Sequence, residues 1–274
     1  MKRFKVKMSF KRGVCAALAL TLAPGLAFAA TEASAATEAT GYAVASAASA
    51  EAELLRAADV SDRGRYVVVD AASARLFMIE DGEVQDSMRV IVGKPSSATP
   101  ALKSTLHVAT VNPYWNVPTD LARSIIAPRV LKDGTSYLRE RGYEVISHFG
   151  EDARVIPAGS VDWKAVASGL ETVHVRQLPG PSNSMGQIKI AVANTDGIYL
   201  HDTPNKELFD EAERNLSNGC VRLEDAQRLA RWLLGRNPVL RSDEPEQHVS
   251  LAAPVPIVIT YLDRGSQMQL ASLR

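Results

Sequence analysis

From Arg65 onward, apolar side chains fall mostly in short runs or alternate with polar ones, which is the period of strands rather than helices. Tyr66–Val69 and Leu76–Ile79 are rich in β-branched and aromatic residues and predict two strands. Asp81-Gly82 supplies a tight two-residue turn, so the second run and Val84–Val92 should form a hairpin. Further strands are expected at Ser104–Val111, Gln187–Val192, Ile198–Leu200 and Val255–Tyr261. Gly, Pro and Asn punctuate these runs, a layout that favours a mainly β, sandwich-like or barrel-like domain. One segment keeps a clear helical period. Within Glu224–Leu234, Ala226, Leu229, Ala230, Leu233 and Leu234 share a face, Glu224 and Asp225 sit in the first turn, and Gly235 can end the helix. Trp232 lies off that stripe, at its margin.

Residues 116–180 interrupt the strand series. They hold helical candidates near Leu121–Ile126 and Ser136–Arg141 and the aromatic-bearing Val161-Asp162-Trp163, without a repeated strand pattern of their own. A long insertion of this kind reads as a mixed α/β lid or substrate-binding element. Upstream, residues 30–64 are dominated by Ala, Ser, Thr and Glu and read as a flexible lead, in which Glu51–Ala58 has the composition of a short helix. The folded domain is expected over residues 65–262, followed by a tail at 263–274. No internal repeat is found.

Composition changes the picture at the N-terminus. The 274 residues carry 31 basic and 31 acidic side chains, but residues 1–29 hold six of the basic ones (Lys2, Arg3, Lys5, Lys7, Lys11, Arg12) and no acidic one. The remainder is mildly acidic, which argues against a general nucleic-acid footprint. The basic start is followed by the apolar run Val14–Leu22, Pro24-Gly25 and Ala27-Phe28-Ala29, the layout of a secretory signal peptide cleaved after Ala29. That run is short for a membrane span. The mature protein is therefore expected to be exported to the periplasm or cell envelope, with no stable membrane span. Of the two cysteines, Cys15 is lost with the signal, and Cys220 has no intramolecular partner. A lone thiol in an oxidising compartment is buried and inert, joined to another chain, or kept for its chemistry.

The neighbours of Cys220 favour chemistry. Ile198–Pro204 presents His201 at the end of a predicted strand, and Leu216–Arg222 presents Cys220 in a small-residue turn before the helix. Thiolate is the attacking form of cysteine, and imidazole is a suitable acceptor for its proton. The start of the following helix would favour charge on sulfur if its axis points there. The N–H groups of Gly219 and Cys220 are candidates for binding an oxyanion, and Arg222 for holding a carboxylate. Such chemistry requires no metal and no organic cofactor.

These residues make the sequence resemble the L,D-transpeptidase (YkuD-type) family, in its larger murein-transpeptidase branch. The resemblance rests on His201-Asp202-Thr203-Pro204 and Ser217-Asn218-Gly219-Cys220-Val221-Arg222. It is reinforced by Asn112–Pro118, Pro179–Gly186, Val161-Asp162-Trp163 and the final Pro256–Leu262 strand, and covers about residues 65–262. It implies a β-sandwich-like catalytic domain with Cys220 as nucleophile and His201 as general base. The implied reaction is attack on a peptidoglycan tetrapeptide stem with release of D-Ala, a thioester intermediate, and 3→3 crosslinking to a second stem. Water or a free D-amino acid as the acceptor would make the protein an L,D-carboxypeptidase or an exchange enzyme. A wall-binding protein that has kept the scaffold is the non-catalytic alternative.

Two departures from the family pattern stand out. Asn218 occupies the position where many members place a histidine before Gly-Cys, and the stretch before Arg65 is too short for a separate wall-binding module. The tautomer of His201 needs an acceptor at its second nitrogen, for which the Asp202 backbone carbonyl is the candidate. Arg222 has an alternative in an ion pair with Glu224 or Asp225, and Tyr199 is balanced between core packing and substrate contact. Trp115 and Trp163 are either groove walls or packing anchors. Pro179–Gly186 either shapes the site entrance or forms a plain turn. His107, His148, His174 and His248 have no comparable setting.

Overall fold

The structure, a computed structural model, describes residues 63–238 and 244–262; the expected signal peptide, nearly all of the lead and the tail lie outside them. The chain is mainly β. One sheet holds β1 (Arg65–Asp70), β2 (Arg75–Glu80), β3 (Glu83–Gly93), β4 (Leu102–Val111), β9 (Ile188–Val192), β10 (Tyr199–His201), β11 (Asn215–Ser217), β12 (Val221–Leu223) and β13 (Gln247–Thr260). A second holds β5 (Trp115–Val117), β6 (Tyr143–Ile146), β7 (Val155–Ile156) and β8 (His174–Gln177).

The large sheet runs β11-β3-β12-β10-β9-β4-β13-β1-β2, and β3 also pairs with β2. The pairings therefore close a circuit, because β3 is long enough to serve both neighbours. Its first part pairs with β2 through the predicted hairpin, whose turn residues Asp81 and Gly82 both adopt positive φ. Its last part pairs with β12 on one edge, while Val92 and Lys94 donate to the carbonyls of Arg214 and Ser217 beside β11 on the other.

Inside the circuit, Val67, Val69, Leu76, Met78, Val90, Leu106, Ile190, Leu200, Val221 and Ile257 form the main core. The helix Ala226–Leu234 packs onto it through Ala226, Leu229, Ala230 and Leu233. The helix starts two residues later than the sequence signals suggest: Glu224 precedes it and Asp225 is its cap, accepting the Arg228 N–H, while Gly235 ends it in the left-handed conformation as predicted. Trp232 sits at the margin of the stripe and stacks under the Arg65 guanidinium, 4.3 Å from the ring centre. On the opposite face of β1, β2 and β13, Tyr66, Val68, Phe77, Ile79 and Val258 are buried too. Burial on both faces explains why the first two runs are continuous rather than alternating.

The inserted segment is richer in structure than its sequence pattern suggests. It forms the four-stranded sheet around its own core of Val117, Ala122, Ile126, Val130, Leu138, Val145, Trp163, Val166 and Val175. The expected helix near Leu121–Ile126 is a turn at Thr119–Leu121, a π-turn at Ala122–Ile126 and a helix at Ala127–Asp133. Asp162 caps the helix Trp163–Ser168, its carboxylate accepting from the Lys164 and Ala165 N–H groups. Two other differences concern strands. The Val255–Tyr261 prediction captures only the end of β13, whose register shifts between Ser250 and Val255, around Pro254. Moreover, β11 and β12, three residues each, flank the cysteine turn where no strand is predicted.

Candidate active site

Strand register brings the key residues together. In the parallel β10–β12 pair, Leu200 faces Val221 and His201 faces Arg222. Leu200 and Val221 are fully buried in the main core, so the alternation of side chains turns Tyr199, His201 and Arg222 to the other face. Cys220 directly precedes Val221, which makes it a diagonal neighbour of His201 across the pair. Both line one cavity of about 360 Å³ together with Tyr199, Arg222, Asn218 and Trp115. The structure thus gathers all the candidate side chains except Asp202, which supports the site from behind.

His201 is 5% exposed and sits opposite a guanidinium. Burial, followed by the charge of Arg222, lowers its pKa to about 4, so it is neutral near pH 7 and able to accept a proton. Its Nδ1 lies 2.5 Å from the Asp202 carbonyl oxygen. A carbonyl only accepts, so Nδ1 carries the hydrogen and Nε2 is left as the basic atom.

Cys220 rests in the opposite sense. Burial pushes its thiol up, while the Tyr199 backbone N–H and the charge of Arg222 pull it back down. Its thiol donates to the Gly197 carbonyl at 3.6 Å. The resting pair is therefore thiol and imidazole, not thiolate and imidazolium, and proton transfer accompanies attack. The helix start does not contribute as the sequence allowed. β12 separates Cys220 from Ala226, and Asp225 occupies the helix cap.

The turn that carries Cys220 is strapped in place. Gly219 adopts φ +120°, a conformation that favours glycine. Its carbonyl accepts from Thr99 Oγ1 at 2.7 Å, and Thr99 is held in turn by the Gly93 N–H and the Tyr261 hydroxyl. Ser217 Oγ accepts from the Gly219 N–H at 3.0 Å and donates to the Cys220 carbonyl at 2.6 Å. This differs from the expectation for an oxyanion pair: the Gly219 N–H is occupied, and the Cys220 N–H is the remaining donor of the two.

Arg222 does not follow its alternative reading. Glu224 is bound by Arg89, through Nε at 2.9 Å and Nη2 at 2.6 Å, and Asp225 faces Arg228. No described carboxylate pairs with Arg222, whose guanidinium remains directed to the cavity. Tyr199 lies under the Lys189 ammonium, 5.5 Å from the ring centre, and also lines the cavity. Trp163 is a packing anchor in the insert core, its Nε1 donating to the Ala158 carbonyl at 2.8 Å.

Sequence reasoning missed several wall residues: Ser97, Asp120, Leu121 and Asp196. None belongs to a motif or stripe; only the surrounding fold collects them. Ser184 and Met185, from the Pro179–Gly186 stretch, also line the cavity, so that stretch does shape its wall. The other histidines lie elsewhere: His107 contacts Thr105, His148 contacts Ser147 and Asp152, His174 packs edge to face with Phe149, and His248 contacts Thr110. Among the described residues, no group of three or more His, Cys, Asp or Glu is placed to hold a metal ion. Nor is any described helix long and apolar enough to cross a membrane.

The sequence model of the L,D-transpeptidase catalytic domain (YkuD) matches residues 64–256. A Haemophilus influenzae protein curated under a provisional L,D-transpeptidase name is 37% identical over 142 residues, which is 52% of this chain and 28% of that protein. An L,D-transpeptidase structure from Mycobacterium smegmatis aligns with TM-score 0.36 and 15% identity over 72% of this chain and 58% of its own. The E. faecium L,D-transpeptidase catalytic domain aligns with TM-score 0.36 and 14% identity, covering 72% of this chain and 97% of that domain.

Proposed function

The chain belongs to the L,D-transpeptidase catalytic-domain (YkuD) family, and on that premise we propose that it is an exported peptidoglycan L,D-transpeptidase working through Cys220. Sγ attacks the carbonyl of the L-centre of diaminopimelate in a tetrapeptide stem. Nε2 of His201 takes the thiol proton as the S–C bond forms and passes it to the departing amine of D-Ala as the C–N bond breaks. The Cys220 N–H stabilises the developing oxyanion. Arg222 holds a substrate carboxylate, since its charge has no described carboxylate of its own. The side-chain amine of a second stem then attacks the thioester, giving a 3→3 crosslink and returning the proton to the thiol.

The observation that carries this reading is that His201 on β10 and Cys220, in the turn that leads directly into the paired strand β12, face one cavity beside an uncommitted guanidinium. The test is to incubate the purified protein with defined tetrapeptide muropeptides, beside Cys220→Ala, and to analyse the products by mass. A 3→3 dimer with free D-Ala is expected, and neither from Cys220→Ala. Tripeptide and D-Ala without dimer would make it a carboxypeptidase, and exchange of the terminal residue a D-amino-acid exchange enzyme. Unchanged substrate with the intact protein would leave a wall-binding role and overturn the proposal.

A further inference from the structure

Beside Asp202 lies a second groove, lined in part by Gly186, Gln187, Asp202, Lys206 and Glu224, which shares no lining residue with the Cys220 cavity. At its floor the Asp202 carboxylate is held at both oxygens. Oδ2 accepts the Gln187 N–H at 2.9 Å, and Oδ1 meets the Lys206 ammonium at 2.6 Å. The Asp202 N–H donates to the Ile188 carbonyl at 2.8 Å. The remaining polar atom of Asp202, its carbonyl oxygen, takes the Nδ1–H of His201. The approach is so close that a Cβ on Gly186, which adopts φ +60°, would collide with this carboxylate.

Lys206 does more than neutralise Asp202. Its ammonium also donates to the Glu224 carbonyl at 2.8 Å and the Leu223 carbonyl at 3.3 Å. Those carbonyls lie at the last residue of β12 and just beyond it; β12 is the strand that follows Cys220 and carries Arg222. The three donors of one ammonium thus join the segment after His201 to the segment after Cys220. An isolated ion pair with a side chain this exposed contributes little to stability. A head group caught between two chain segments instead fixes their relative position.

We propose that Lys206 is a positioning residue of this site: it holds the Asp202 carbonyl against Nδ1 of His201 and keeps that ring in register with Cys220. Without the ammonium, Asp202 keeps only the Gln187 N–H as side-chain partner and its carbonyl is freed to move. The imidazole then populates the tautomer with hydrogen on Nε2, which cannot accept the thiol proton. The inference rests on the Cys220–His201 pairing of the proposed function but not on the identity of the substrate.

The test uses iodoacetamide, a small reagent that needs no stem-peptide site, and follows Cys220 alkylation by mass across pH. Lys206→Met is expected to slow alkylation at pH 7 about tenfold, part of the ~10²–10⁴ that a positioned base supplies, and to move the pH profile. Lys206→Arg should recover most of the rate, because a guanidinium can span the same carboxylate and carbonyls. In a His201→Ala background, Lys206→Met should have no further effect. A wild-type rate and profile in Lys206→Met would overturn the proposal. So would an equal slowing in the His201→Ala background, or a loss of near-ultraviolet circular dichroism that tracks the slowing without rescue by arginine. A wild-type rate in His201→Ala would overturn the Cys220–His201 pair itself, and this role with it.

Discussion

The cavity around Cys220 has two walls of different construction. On the sheet wall, His201 is buried, its ring nitrogen bonded to a carbonyl, and the Ser217–Cys220 turn is strapped by Thr99 and Ser217. On the insert wall, Trp115 is half-buried while Asn116, Pro118 and Asp120 are exposed, on a four-stranded sheet with a separate core. Groups that move protons are best placed where backbone ladders hold them. Groups that select a substrate can stand on a unit that varies without disturbing those ladders. On the proposed function, the sheet wall should therefore govern the rate of acylation, and the insert wall the affinity for the donor stem.

The largest expected effect removes the base. His201→Ala should lower acylation of Cys220 by about 10²–10⁴ while leaving donor affinity nearly unchanged, measured by single-turnover mass spectrometry. An equal loss in affinity would break the division between the walls. Next come two core truncations of equal chemistry. Leu200→Ala beneath His201 and Leu138→Ala in the insert should each cost about 2–5 kcal/mol in denaturant unfolding. The first should slow iodoacetamide alkylation; the second should spare it and weaken stem-peptide binding.

A subtler separation uses pH. Burial and Arg222 hold His201 at about 4 in the folded chain, against 6.5 when unperturbed. Above pH ~6.5 neither the folded nor the unfolded chain holds the proton, so the contribution of His201 to stability is complete. Between ~6.5 and about 4 only the unfolded chain holds it, and stability is lost as pH falls through that window. Arg222→Met removes the neighbouring positive charge, so the acid limb of the activity profile should move upward, toward the ordinary histidine range. The thiol moves the same way, since the loss of that charge raises Cys220 further. Alkylation by a neutral reagent should keep climbing beyond pH ~8.5, the ordinary thiol value. The smallest effect is expected at the insert wall. Trp115→Ala should raise the KM for the donor stem several-fold, in line with ~1 kcal/mol for an aromatic contact, at nearly constant kcat.

The same contrast explains what the sequence reveals. The hairpin through Asp81-Gly82 and the helix ending at Gly235 are legible because local rules govern them: turn residues that tolerate positive φ, and a stripe of apolar side chains. His201 and Cys220 are legible because motifs carry them. The insert is harder to read. Its strands β5 to β8 are two to four residues long, too short to establish a period, and depend on partners far along the chain. β11 and β12 are missed for the same reason, as they exist because β3 extends between them. The insert-borne wall residues Asp120 and Leu121 follow from that tertiary arrangement and carry no signal of their own. The occupied Gly219 N–H is likewise invisible in the sequence, because it depends on where the Ser217 hydroxyl points.

The pairing of β3 with β2 on one side and β12 on the other has a consequence for how the molecule fails. A ribbon joined to itself has no loose end from which to unzip, and offers foreign chains little unpaired backbone as a template for aggregation. Loss of the Cys220–His201 alignment should then coincide with melting of the entire ring in a single cooperative event.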